Sequence, residues 1–101
     1  MNITEQIEKF QSALQSMLDV YRARHFPTLP VPKIEISIGK RFARIIKKDG
    51  SHTNAYGFID LKNGDLLKAA SWKAPAMHAR GNIFADDMLA GCGPHGMAYL
   101  K

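Results

Sequence analysis

Cysteine is nearly absent from this chain: among 101 residues there is one, Cys92. No intrachain disulfide can form, which excludes the stapled secreted scaffolds and fits a reducing compartment. Long apolar runs are absent too. Nothing approaches the ~18 residues of a membrane-spanning helix, and the N-terminus lacks a basic stretch followed by an apolar one. These absences predict a soluble protein of the cytoplasm, without a membrane partner. Acid is scarce beside base, with 9 Asp and Glu against 14 Lys and Arg. The resulting net charge of +5 favours an anionic partner, although it says nothing of fold. There is no internal repeat, no low-complexity tract and no Gly-rich phosphate-binding pattern.

What is present fits one domain over residues 1–101. A hydrophobic content of 46% supports a single modest core and excludes wholesale disorder. The charge is uneven. Residues 1–32 sum to zero, residues 33–80 to +6, and residues 81–101 to −1. The positive charge therefore lies on the middle segment.

The spacing of Ile7, Phe10, Leu14, Met17, Leu18 and Tyr21 predicts an amphipathic helix over 3–24. Asn2 with Glu5, or Thr4, is its N-cap, and Pro27 ends it. The segment 25–32, with three prolines, reads as a stiff, extended crossover from helix to sheet. Lys33–Ile38 alternates strictly and predicts a strand. Gly39-Lys40 predicts a type II′ turn into a return strand over Phe42–Lys47. Asp49–Asn54 reads as a polar, mobile loop. A third strand follows over Ala55–Leu61, with Tyr56, Phe58 and Asp60 on one face. Asn63-Gly64 is a strong hairpin signal before a fourth strand at Leu66–Ala70.

The expected fold is α+β: an N-terminal helix packed on a four-stranded antiparallel meander. Beyond Ala70 the pattern predicts an irregular strap, a short helix at 83–90 and a docked apolar tail, Met97–Lys101. An exposed edge strand pairs readily with a copy of itself, and Lys33–Ile38 is the edge at which a homodimer would form.

The strap carries the only Trp, with Lys68, Lys73, His78 and Arg80 around it. Phosphates are bound by Lys and Arg, and bases stack on aromatic or guanidinium planes. The middle segment interleaves Lys and Arg with Phe42, Tyr56, Phe58 and Trp72. The candidate nucleic-acid-binding residues are Lys40, Arg41, Arg44, Tyr56, Lys68, Trp72, Lys73, His78 and Arg80. For Trp72 two roles stand open, a contact residue and a core residue closing the sheet. The same strap also has the composition of a protein interface.

Other chemistries find less support. Cys92-x-x-His95, even with His78, falls short of a zinc site, so neither metal nor cofactor is expected. Asp86 and Asp87 are adjacent and would diverge by ~100° on a helix. Asp60 and Asp65 read as turn residues, and Ser71 has no evident base. A non-catalytic protein is therefore expected.

From Leu67-Lys68-Ala69-Ala70-Ser71-Trp72-Lys73-Ala74-Pro75-Ala76 through Ala79-Arg80-Gly81-Asn82-Ile83, the chain resembles a family of small bacteriophage proteins of undetermined function. Tyr56-Gly57-Phe58-Ile59-Asp60, Asn63-Gly64-Asp65 and Gly93–Leu100 extend the likeness, which covers about residues 40–101. The resemblance implies a phage accessory protein in the bacterial cytoplasm. Its role would be in nucleic-acid metabolism or, alternatively, in binding and inhibiting a host protein, as an anti-CRISPR does. The resemblance supplies no catalytic residue.

Overall fold

The computed structural model describes residues 3–93. The helix α1 (Ile3–His25) precedes five strands: β1 (Lys33–Ile38), β2 (Phe42–Asp49), β3 (His52–Asp60), β4 (Asp65–Ala69) and β5 (Pro75–Asn82). All neighbours pair antiparallel in the order β1-β2-β3-β4-β5. The α+β meander expected from the sequence is thus present, one strand larger. Among the described residues no helix is long and apolar enough to cross a membrane.

The α1 stripe is the reason for the layering. Ile7, Phe10, Leu14 and Leu18 are buried against Ile34, Ala43, Ile45, Tyr56, Ile59, Leu66 and Ile83. Its glutamines fix the crossing direction. Gln6 donates to the Ile83 carbonyl just beyond β5. Gln15 donates to the Pro32 carbonyl at 2.8 Å and accepts the Ile34 amide at 2.8 Å, while Gln11 donates to the Ile34 carbonyl at 2.9 Å. The helix therefore runs diagonally, from the end of β5 to the start of β1. It leaves the far corner of β1 bare, and Ile38 is 61% exposed there.

Several local expectations change. The segment after α1 is not fully extended: Leu29 N bonds to Phe26 O, a turn clasped by Arg22 through Pro30 O and Asp49. The Asp49–Asn54 loop is a tight turn, because β2 and β3 continue to the pair Asp49↔His52 and Gly50 takes φ +64°. The turn after β1 centres on Lys40-Arg41, not Gly39-Lys40. Gly39 N bonds to Phe42 O, and no residue there has the positive φ that a type II′ turn needs. Glycine is required at 39 by space, since a Cβ would stand 2.8 Å from Phe42 O.

The expected strap is a strand. β5 pairs with β4 through two register shifts, at Leu66/Leu67 and Leu67/Ala69. Its small residues hid a strand that lacks bulky alternation. The expected helix at 83–90 is a run of turns, with bonds Ala85 N to Asn82 O and Ala90 N to Asp87 O. The Asn2 cap, His95 and the tail Met97–Lys101 lie outside the described residues.

Candidate nucleic-acid interface

The face of the sheet opposite α1 is built by alternation. Ser37 of β1, Arg44 of β2, Phe58 of β3 and Leu67 of β4 stand in one register row. Phe42 follows two residues before Arg44 on the same face. Phe42 and Phe58 meet edge to face, with centroids 6.4 Å apart and planes at 77°. Arg44 lies over the Phe58 ring at 5.9 Å and over the Trp72 ring at 4.7 Å. Its Nε also donates to the Trp72 carbonyl at 2.8 Å. Arg41 covers Phe42 at 5.3 Å. Trp72, Arg44, Phe58, Phe42 and Arg41 thus form a continuous chain of cation–π and edge-to-face contacts.

Trp72 reaches β2 because the β4–β5 hairpin bends over this face at its register shifts. Ala70 N and Ser71 N both bond to Ala74 O and close the tip. The Trp72 side chain is not core: the residue is 42% exposed and belongs to the opposite face from the α1 cluster. Phe58 beneath it is buried.

Beside the stack lies a hollow of about 230 Å³, walled by Lys40, Arg41, Arg44 and Lys73 with Phe42 and Phe58 behind them. Among the described residues no carboxylate lines it. Asp60 and Asp65 line a neighbouring hollow of about 300 Å³, where Asp60 accepts from the Lys62 amide at 2.9 Å and stands 3.7 Å from Arg41. That second hollow is apolar along Leu67, Pro75 and Ala79. Four cations thus face one concavity with a hydrophobic, aromatic wall.

The expected site residues divide accordingly. Lys40, Arg41, Arg44, Trp72 and Lys73 come together. Tyr56 does not join them, which corrects its placement beside Phe58. A bulge at Ile45/Ile46 leaves Tyr56 without a partner on β2 and turns it to the helix side. There its hydroxyl donates to Gly93 O at 2.7 Å. Burial, reinforced by the neighbouring Cys92, raises the Tyr56 pKa well beyond the ordinary phenol value. Burial also raises Cys92, so its thiol stays protonated and is a poor nucleophile.

Lys68 pairs with Gly57, two residues beyond the buried Leu66 and next to the outer-facing Leu67, so alternation sends it to the α1 side. His78 and Arg80 sit on β5, three strands and about 14 Å from β2. Arg80 donates to the His78 carbonyl. Ser37, Gly39 and Phe58 line the hollow although none was in the expected site set. The sequence groups Phe58 with the basic residues, and the strand pairing places it, with Ser37 and Gly39, against this hollow. Among the described residues no three His, Cys, Asp or Glu side chains gather as a metal group.

Comparison with curated proteins and with solved structures gave no match. A family profile does match, and it spans α1 as well as the sheet. Over residues 1–94 the chain matches, and so belongs to, the family of unknown function DUF7717.

Proposed function

We propose that this is a non-catalytic, single-strand nucleic-acid-binding protein, an accessory protein of a bacteriophage acting in the host cytoplasm. The observation that carries the reading is the hollow of Lys40, Arg41, Arg44 and Lys73 against the Phe42–Phe58 wall, with no carboxylate among the described residues lining it. Cations there neutralise phosphates, and release of their counterions drives association. Trp72, backed by Arg44 and 42% exposed, offers a flat surface to an unstacked base. A duplex keeps its bases stacked inside and cannot use those planes, so single strands are preferred. The resemblance to small phage proteins supports the setting.

The rival reading is an inhibitor that docks on a host protein through the same Arg and aromatic strip, whose composition protein interfaces share. The basic character of the strip argues against mimicry of DNA. Fluorescence anisotropy with a labelled single strand and its matching duplex separates these outcomes. Tighter binding of the single strand, with quenching of Trp72, is expected. No binding of either at low salt contradicts the reading and leaves the host-protein target.

A further inference from the structure

The two edges of the sheet are not equivalent. β5 opens on Pro75 and carries two register shifts, both features that protect an edge from pairing. β1 is regular over its six residues. Its outward row of backbone groups begins at Ile34, whose amide and carbonyl are taken by Gln15 and Gln11. The turn bond from Gly39 N to Phe42 O shows that odd-numbered residues face β2. The amides and carbonyls of Ile36 and Ile38 therefore point outward. Among the described residues nothing covers them, because α1 crosses diagonally away from that corner. Two hydrogen-bonding residues flanking Ser37 are thus open, beside the 61% exposed side chain of Ile38.

We propose that this window pairs with the same window of a second copy, antiparallel and centred on Ser37. In that register Ile36 faces Ile38 of the second copy and Ile38 faces its Ile36. Each pair exchanges both N–H···O bonds. The Gln11 and Gln15 caps stop the pairing at Ile34 and the turn stops it at Gly39, so no other antiparallel register satisfies both open residues of both copies. The bare Ile38 becomes buried against apolar side chains of the second copy. Glu35, half exposed and 3.2 Å from Lys48 of its own chain, comes level with Gly39 of the second copy, next to its Lys40.

The two-fold axis is perpendicular to the sheet, so both outer faces lie on the same side. Ser37 lines the basic hollow. The two hollows therefore abut across the axis and form one cationic strip, twice the length of either. The pairing itself stands on backbone geometry and does not depend on what the strip binds.

Sedimentation velocity over a concentration series should give twice the chain mass, with dissociation on dilution. Ile38→Lys places a charge on an exposed position and should restore the monomer. Ile38→Pro removes only the outward amide, which an edge strand tolerates, and should do the same. Ser37→Cys puts one thiol on the axis, opposite itself in a non-hydrogen-bonded pair with Cα atoms about 4.5 Å apart. That spacing lies within disulfide reach. Mild oxidation should cross-link Ser37→Cys and leave the wild type, with its half-buried Cys92, uncoupled. A monomer at all concentrations overturns the proposal. So does a dimer that survives both Ile38 variants, or a Ser37→Cys variant that cross-links no faster than the wild type.

Discussion

Arg44 is the residue on which the outer face turns. It joins β2 to the β4–β5 hairpin by its bond to the Trp72 carbonyl, and its guanidinium lies over two rings, Phe58 and Trp72. Trp72 adds little to the core, so Trp72→Ala should lower the melting temperature by less than about 5 °C. Affinity for a single strand should fall by roughly 1–3 kcal/mol, as for one lost base stack. A large loss of stability at unchanged affinity would return Trp72 to the core role.

Tyr56 gives the reverse pattern. Tyr56→Phe removes the bond to Gly93 O and should cost about 1 kcal/mol of stability, measured by urea unfolding, at unchanged affinity. The same residue sets an alkaline limit. Tyr56 and Cys92 have folded pKa values above their ordinary 10.0 and 9.0. Their contribution is complete below those values and is lost as pH rises through and beyond them. Lys47, lowered from 10.5 by burial, works the other way and gains stability as pH approaches 10.5. The large upward shift of Tyr56 outweighs the opposing Lys47, so stability should decline as pH rises above about 10, and Tyr56→Phe should flatten the decline. A pH-independent unfolding midpoint between 8 and 11 would contradict this assignment (values as in the ordinary titration ranges of about 9 and 10).

At the scale of elements, turns decide the register that aligns the site. Gly64 has φ +83°, and a Cβ there would stand 2.7 Å from the Phe84 ring. Gly50 has φ +64° with nothing within 4 Å. Gly64→Ala should therefore destabilise by about 1–3 kcal/mol, and Gly50→Ala by no more than about 1 kcal/mol, in denaturant titrations. Equal costs would show that backbone strain alone matters.

The helix stripe, the strict alternation of Lys33–Ile38 and the Asn63-Gly64 turn were all legible as periodicity and turn chemistry. What was not legible depended on pairing. The bulge that reverses Tyr56 is seen only when β3 is paired with β2, where Ala55 and Gly57 oppose the adjacent Ile46 and Ile45. β5 escaped for another reason: Ala76, Ala79 and Gly81 give a strand no hydrophobic period. The cluster of Lys40, Arg41, Arg44 and Lys73 was legible as charge. Its union with Phe42 and Phe58 in one hollow needed the fold.

For the whole molecule, a neutral N-terminal third covers one sheet face and a basic middle segment occupies the other. The diagonal helix buries the core and fills part of the β1 edge, while on the opposite face the Trp72 tip lies over Arg44 and the cations line an open hollow. This division makes one face the core and the other the contact surface. The most direct test is the salt dependence of single-strand affinity. Four cations in the hollow predict a slope of log K against log salt concentration near −3, at roughly −0.7 per phosphate contacted. Charge-neutralising substitutions at Lys40 and Lys73 together should shift that slope toward about −1.4. An affinity that is insensitive to salt, or a slope unchanged by the double substitution, would contradict the claim that this hollow is the phosphate-binding site.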